Sequence, residues 1–275
     1  MTLTIGKTLS LRLTSIHSPD PQIENAHSKA YNHLDQKICQ GCASKHASLC
    51  NVMDNDDLDI LSRLSSDIHK KAKQIICTEG DNAKYLYNIR SGAVRISKML
   101  PDGRRQITGF LFTGDFFGLS CGAQHSYTAE AITPVEICRF PRKKIITLFQ
   151  EFPNLNERVF DMTRTELNST HAQMLLLGRK TAKEKLCSFL LTMRKKTSLL
   201  AKKSKDEIGL PMNRSDIADY LGLTIETVSR QFTNLNKLGL IKLDGADKVS
   251  LKNIERLSIM AEGGRILSRK AYKTP

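Results

Sequence analysis

The strongest chemical signal in this chain is Cys39, Cys42 and Cys50, in ICQGCASKHASLC, at C-x2-C-x7-C spacing. Two thiolates separated by two residues can bind one metal centre because the intervening turn brings their sulfurs together. A third lies within loop reach, and structural zinc and iron–sulfur clusters both use such runs. A C-x-x-C pair can also be a redox couple, but no βαβ pattern surrounds this one. Three free or buried thiols are the bland alternative, and their clustering weighs against it. A fourth ligand has to come from elsewhere: His46 for zinc, or one of Cys77, Cys121, Cys138 and Cys187. Cys187 lies in KLCSFLL, on a helical apolar stripe, and reads as a small core residue.

A second constellation is NRSDIADYLGLTIETVSRQFTNLNKL, residues 213–238. Ile217, Ala218 and Leu221 recur at helical spacing, and Gly222 ends that helix. Thr224 is a good N-cap for a second helix whose Val228, Phe232 and Leu235 face inward. Glu226, Ser229 and Arg230 lie on its opposite, early-turn face. Helix, glycine turn and a second helix with polar residues near its start form the helix-turn-helix pattern, which sets those residues against base edges in a major groove. An ordinary helical hairpin is the bland alternative, and charge weighs against it. The net charge is +14. From Leu176 onward 21 Lys and Arg face 10 Asp and Glu, whereas residues 1–175 hold 21 against 18, so +11 of the excess accompanies the helix pair. Such a bias is the electrostatic footprint of a surface that displaces counterions from phosphates.

Other elements must position these two sites. Residues 1–36 are polar and aperiodic and read as a disordered leader. Residues 54–71 read as an amphipathic helix with Leu58, Leu61, Leu64 and Ile68 on one face. From about 73 to 141 short β-rich segments alternate with glycine turns, which implies a sandwich or jelly-roll barrel. Pro153 opens a long helix running to about 178. Its stripe Leu155, Val159, Met162 has coiled-coil-like spacing but continues onto Glu166, Ser169 and Gln173 before reaching Leu176, which reads as a marginal dimer seam, with a surface helix packed on its own barrel as the bland alternative. Residues 179–200 form a further helix with Leu186, Phe189, Leu190 and Met193 inward. LGLIKLDGADKVSLKN reads as two strands around Asp244 and Gly245, the wing of a winged helix, and the tail 262–275 is basic. The fold class is therefore α+β: a cysteine-rich segment and antiparallel β-roll sensor domain (37–152), a dimerisation helix (153–178) and a winged helix-turn-helix (179–261).

An odd number of cysteines, seven, in a chain without an export-type N-terminus predicts a reducing cytoplasm. No apolar run approaches the roughly 20 residues that span a bilayer, so no membrane partner is expected. No triad, P-loop or pair of acids supports an enzyme.

In this order of parts, and in IRSG, LPDGRRQITGF, TGDFFG and IETVSR, residues 36–260 resemble the CRP/FNR transcription regulators, especially FnrN/FixK-like members of the FNR branch. The resemblance implies a homodimer on a palindromic site of double-stranded DNA. Where cyclic-nucleotide binders carry Arg-Ser or Arg-Thr, this chain has His125, Ser126, Tyr127 and Thr128. Without that arginine no cyclic nucleotide is expected, because a buried phosphate needs a charged partner. Ile225 and Ser229 are FNR-like and imply a TTGAT-like half-site, with Glu226, Ser229 and Arg230 reading bases. The cysteine run is what separates FNR-type oxygen sensors from cluster-free FixK-like relatives. The family's fourth ligand lies in the last barrel strand, where VEICRFP places Cys138, with Cys121 in reserve. The implied cofactor is a [4Fe-4S] cluster on Cys39, Cys42, Cys50 and Cys138, which in the family is converted by oxygen to a [2Fe-2S] form with loss of the dimer. His46 then becomes a loop residue. The hairpin 101–105 stands where the family has a loop that touches RNA polymerase.

The expected function is thus an oxygen-responsive transcription regulator of anaerobic or microaerobic genes. The alternatives are a cluster-free, zinc-bound or nitric-oxide-responsive regulator of the same family and, from another class, a thiol–disulfide oxidoreductase using Cys39 and Cys42.

Overall fold

The computed structural model describes residues 39, 42, 44–119, 122–198, 206–245 and 247–264. The leader expected over 1–36, the reserve thiol Cys121, residues 199–205 of the basic loop and the tail beyond Gly264 lie outside the described residues.

The thiol segment ends in a 3₁₀ turn, Leu49–Val52, followed by helix α1, Asn55–Leu64, which Asp54 caps through the Asp57 N–H. Strands follow: β1 (Ser66–Lys70), β2 (Ile75–Cys77), β3 (Tyr85–Ser91), β4 (Ala93–Met99), β5 (Arg105–Phe112), β6 (Phe116–Phe117), β7 (Thr128–Ala131) and β8 (Val135–Pro141). They form two antiparallel four-stranded sheets, ordered β1-β8-β3-β6 and β2-β7-β4-β5. Alternate residues of both sheets, among them Ile89, Val94, Leu111, Phe117, Ala129 and Ile137, fill the space between them. Tyr87 and Phe117 stack there at 5.0 Å. Asp102 and Gly103 make the expected hairpin, Gly103 in the left-handed region with φ +85°.

Two expectations need correction. The helix predicted over 54–71 stops at Leu64, and Ile68 lies on β1 opposite Ile137. Ser65 is extended, and a single inward isoleucine happened to continue the helical count. The second correction concerns the long helix, here α3, Pro153–Arg179, which follows the unanticipated helix α2, Arg142–Glu151. Its stripe Leu155, Val159, Met162 is not a dimer seam. It packs against Leu49, Leu58, Leu148 and Phe149 of its own chain, while Leu176 enters a different core. The polar positions of that stripe therefore interrupt nothing. Another row, Phe160, Leu167 and Met174, repeats every seven residues and is 60%, 55% and 65% exposed. Residues 163–172 are exposed on every side of the helix.

Helix α4 (Ala182–Ser198), β9 (Glu207–Gly209), α5 (Arg214–Leu221), α6 (Ile225–Lys237), β10 (Ile241–Leu243), β11 (Lys248–Leu251) and α7 (Ile254–Ala261) complete the chain. β10 and β11 are the expected wing, and β9, which periodicity had not revealed, adds a third strand to their sheet. Leu186, Phe189, Leu190 and Met193 are buried with Ile217, Leu221, Val228, Phe232 and Leu235 in one core. Each side chain so buried contributes roughly 1.5–3 kcal/mol. That core extends into the barrel, because Ile107, Phe110 and Phe112 of β5 belong to it.

Candidate metal centre and nucleic-acid interface

The thiol segment is held by short-range contacts and two long-range ones. Cys42 N–H donates to Cys39 carbonyl at 3.4 Å, Cys42 Sγ lies 3.0 Å from Ser44 Oγ, and Ser48 Oγ accepts from Cys50 N–H at 3.2 Å. Ala47 carbonyl accepts from Arg158 of α3 at 3.2 Å. Gly114, with φ +92°, sits against Ala47 so closely that a Cβ there would meet the Ala47 methyl at 2.5 Å. The turn after β5 thus leaves room for the thiol segment only because residue 114 is glycine.

Cys138 arrives from β8. Across the sheet it stands between Asp67 of β1 and Asn88 of β3, with Phe116 of β6 beyond, so these side chains form one row on one face. Cys138 and Cys50 pack on the same apolar cluster as Leu49, Leu86 and Phe140. Arg90 pairs with Asp67 and, at 3.2 Å, with Glu136. Burial pushes the Cys39 thiol up to about 11, with Cys50 and Cys42 adding to the shift. Burial also raises Cys50, with Cys42 contributing, and raises Cys138, where Asp67, Cys39 and Cys50 push the same way and Arg90 opposes. The four predicted thiols therefore share one electrostatic neighbourhood. Among the described residues no three His, Cys, Asp or Glu side chains converge as one metal ion requires. A cubane, whose ligands bind separate corners, tolerates wider thiolates than a single zinc does. His46 is exposed and Cys187 is buried in the helical core.

A buried polar group of β3 shares this face. Asn88 is buried and its Oδ1 has no hydrogen-bond partner, a loss of about 1–3 kcal/mol. Its amide can turn either an acceptor or two N–H donors toward neighbouring sulfur. With its N–H donors turned toward the sulfurs, a buried amide on the same face as Cys138 fits a sulfur-rich group, which accepts hydrogen bonds. Sequence reading missed Asn88, Asp67 and Arg90, which are ordinary strand residues until the register is known.

At the other end, α5 has a capping box between Asn213 and Asp216 and stops at Gly222 in the left-handed region, φ +60° and ψ +49°. Thr224 Oγ1 accepts from Thr227 N–H at 3.2 Å and starts α6. Val228, Phe232 and Leu235 anchor its inner face, and Arg214 lies 3.3 Å over the Phe232 ring. Glu226, Ser229 and Arg230 are exposed together on the outer face, with Thr233 one turn further. The Glu226 carboxyl is held below the usual range by its own backbone N–H and the Thr224 hydroxyl, so it is an acceptor at neutral pH. Guanine acceptors suit Arg230, and cytosine's amino group suits Glu226. On the hairpin, Asp102 and Arg104 are exposed, whereas Arg105 turns toward α5.

Residues 68–152 match the cyclic nucleotide-binding domain, and residues 184–259 match the Crp-like helix-turn-helix domain. The nitrogen fixation regulation protein FixK of Bradyrhizobium diazoefficiens is 40% identical over 206 residues, 75% of this chain and 86% of that protein. The transcriptional activator protein FnrL of Cereibacter sphaeroides is 33% identical over 222 residues, 80% of this chain and 90% of that protein. The solved structure of FixK2 from Bradyrhizobium japonicum is 38% identical, covers 70% of this chain and 96% of its own, and superposes with a TM-score of 0.66.

Proposed function

Because the chain belongs to the CRP/FNR family of transcription regulators, we propose that it is an oxygen-responsive activator whose thiol pocket governs a DNA-binding homodimer. The family is one of DNA-binding regulators and not of enzymes, which removes thiol–disulfide exchange at Cys39 and Cys42 as its activity. What supports the reading is the Cys39, Cys42 and Cys50 run together with Cys138 of the last barrel strand, whose thiol feels Cys39 and Cys50, and the buried Asn88 carbonyl oxygen without a partner on the same face. Cys39, Cys42, Cys50 and Cys138 would hold the group. A [4Fe-4S] cluster there would supply oxygen-labile chemistry and a crosslink between the thiol segment and β8.

The chain's own residues connect that crosslink to the helix. The thiol segment leads into Leu49, which packs with Leu155 and Val159 at the start of α3, and Arg158 grips Ala47. A change in how the segment is held therefore acts on α3. On α3, Phe160, Leu167 and Met174 present an apolar row at the seven-residue period of a two-stranded coiled coil, which supports a second copy as its partner. A dimer in turn places two α6 faces on two half-sites, with Glu226, Ser229 and Arg230 reading a TTGAT-like sequence.

The test is an anaerobic preparation examined before and after air. The expected results are a brown protein with broad absorption near ~400 nm, specific binding to a palindromic duplex, and loss of both on exposure. A colourless anaerobic protein that binds the duplex equally well in air overturns the oxygen reading. Stoichiometric zinc in that protein would favour the zinc-bound alternative.

A further inference from the structure

The DNA-reading helices do not sit on a flexible stalk: a chain of alternating charges ties them to the barrel. Arg95 of β4 donates to Glu130 of β7 at 2.7 Å and to Asp216 of α5 at 2.9 Å. Arg105 of β5 donates to the same Asp216 oxygen at 2.8 Å and to Asp219 at 2.7 and 2.9 Å. The series Glu130, Arg95, Asp216, Arg105, Asp219 thus crosses between the two domains three times. Its centre is the Asp216 side chain, 2% exposed. The other Asp216 oxygen accepts from Asn213 N–H at 3.4 Å, so a single carboxylate both caps α5 and receives two barrel arginines.

The far end of α5 is gripped as well. Its last carbonyls point out of the helix and need donors. Gln106 of β5 donates to Asp219 carbonyl at 2.7 Å, Gln173 of α3 to Tyr220 carbonyl at 2.8 Å, and Lys185 of α4 to Leu221 carbonyl at 3.0 Å. Three different elements converge on one helix end. Phe110 of β5 lies between, with Tyr220 at 5.2 Å and Phe189 at 6.2 Å.

Buried ion pairs lose in desolvation much of what they gain in attraction, so their surest return is a defined geometry. This network keeps a buried Arg95 Nε without a partner, which an interface built for stability alone would shed. Its product is orientation: α5 is fixed against β4, β5 and α3, while α6, packed on α5, keeps Glu226, Ser229 and Arg230 outward and the row Phe160, Leu167, Met174 stays uncovered. The docked arrangement is therefore compatible with both a helix partner and DNA. We propose that Asp216 is a positioning residue for DNA binding, the pivot through which Arg95 and Arg105 set the angle of each recognition helix and hence the half-site spacing the dimer accepts.

This inference rests on the dimer reading above. The experiment changes the barrel side, which leaves the α5 cap intact: Arg95→Met, Arg105→Met and the double variant, with Arg104→Met as control. Arg104 lies on the same hairpin and, among the described residues, pairs with Asp102 alone, so its loss removes an equal charge without touching α5. Full-length anaerobic proteins are titrated against a palindromic duplex, the same duplex with two base pairs added between half-sites, and a single half-site. The double variant is expected to bind the palindrome roughly ten- to hundredfold more weakly, to bind the half-site as wild type does, and to lose most of its preference for the original spacing. Arg104→Met keeps that preference. Equal weakening on palindrome and half-site means ordinary structural damage and overturns the proposal. So does tighter binding by the double variant, since the contact would then be inhibitory. A wild type indifferent to spacing sinks the dimer reading and this inference with it, whereas a double variant that discriminates as wild type does sinks this inference alone.

Discussion

At the seam between barrel and helix pair both oxygens of Asp216 have donors, and Arg95 and Arg105 reach it from two strands. Around Cys138 the Asn88 carbonyl oxygen is buried with none, and three thiols are raised by the same dry surroundings. Both places are polar, both are buried, and both join distant parts of the chain. The seam is nearly complete within one protomer and so behaves as architecture. On the proposed reading the thiol pocket is completed by a further group, so its energetics depend on what it binds. A regulator needs both kinds of place: one that keeps its geometry and one whose stability is negotiable.

Substitutions can break that contrast, and the largest effect belongs to the thiol pocket. Cys138→Ala is expected to abolish retention of iron and sulfide, measured by chemical analysis of anaerobic protein. It should move the unfolding free energy of the cluster-free protein by no more than about 1 kcal/mol, as a small surface or half-buried change does. Iron retained at the wild-type level would remove Cys138 from the ligand set and bring Cys121 forward. Phe232→Ala tests the opposite behaviour. This ring is buried in the core of the helix pair under Arg214, and its loss should cost about 3–5 kcal/mol in denaturant unfolding whether or not iron is present. An iron-dependent cost would blur the distinction between the two regions.

A smaller effect separates reading from folding. Arg230→Met on the exposed face of α6 should weaken binding to the palindrome by about 1–3 kcal/mol, or roughly 5- to 150-fold, with circular dichroism and melting temperature unchanged. An equal loss on non-specific duplex would make Arg230 a phosphate contact instead. The smallest effect has the opposite sign. Asn88→Leu removes the unpartnered carbonyl and should stabilise the cluster-free protein by roughly 1 kcal/mol, while lowering the iron it retains. Stabilisation without any loss of iron would make Asn88 a defect of the barrel rather than a partner of the pocket.

How much of this could be read beforehand depended on distance along the chain. The hairpin at Asp102 and Gly103, the turn at Gly222 and the cap at Thr224 are local events, and side-chain chemistry reports them within a few residues. Cys39, Cys42 and Cys50 were legible for the same reason. Cys138 was not distinguishable from a half-buried strand residue by pattern, and only family resemblance singled it out. The seam was invisible because Arg95 and Asp216 are 121 residues apart, and Arg105 and Asp216 are 111 apart. The long helix misled more subtly: two apolar rows run along it, and the denser one, Leu155, Val159 and Met162, belongs to the chain's own core. The row at the stricter seven-residue period is the one left outside.

The exposed middle of that helix has a consequence for exchange with solvent. Residues 163–172 are all exposed, so their helical state is held mainly from the two ends. A helix of this kind opens easily when alone and is protected when its outer row is covered. The protection of those ten amides against deuterium should therefore rise with protein concentration, while that of the barrel strands does not. The protomer then carries its own gauge of association, written in the exchange rates of a stretch of backbone that reads no base and binds no metal.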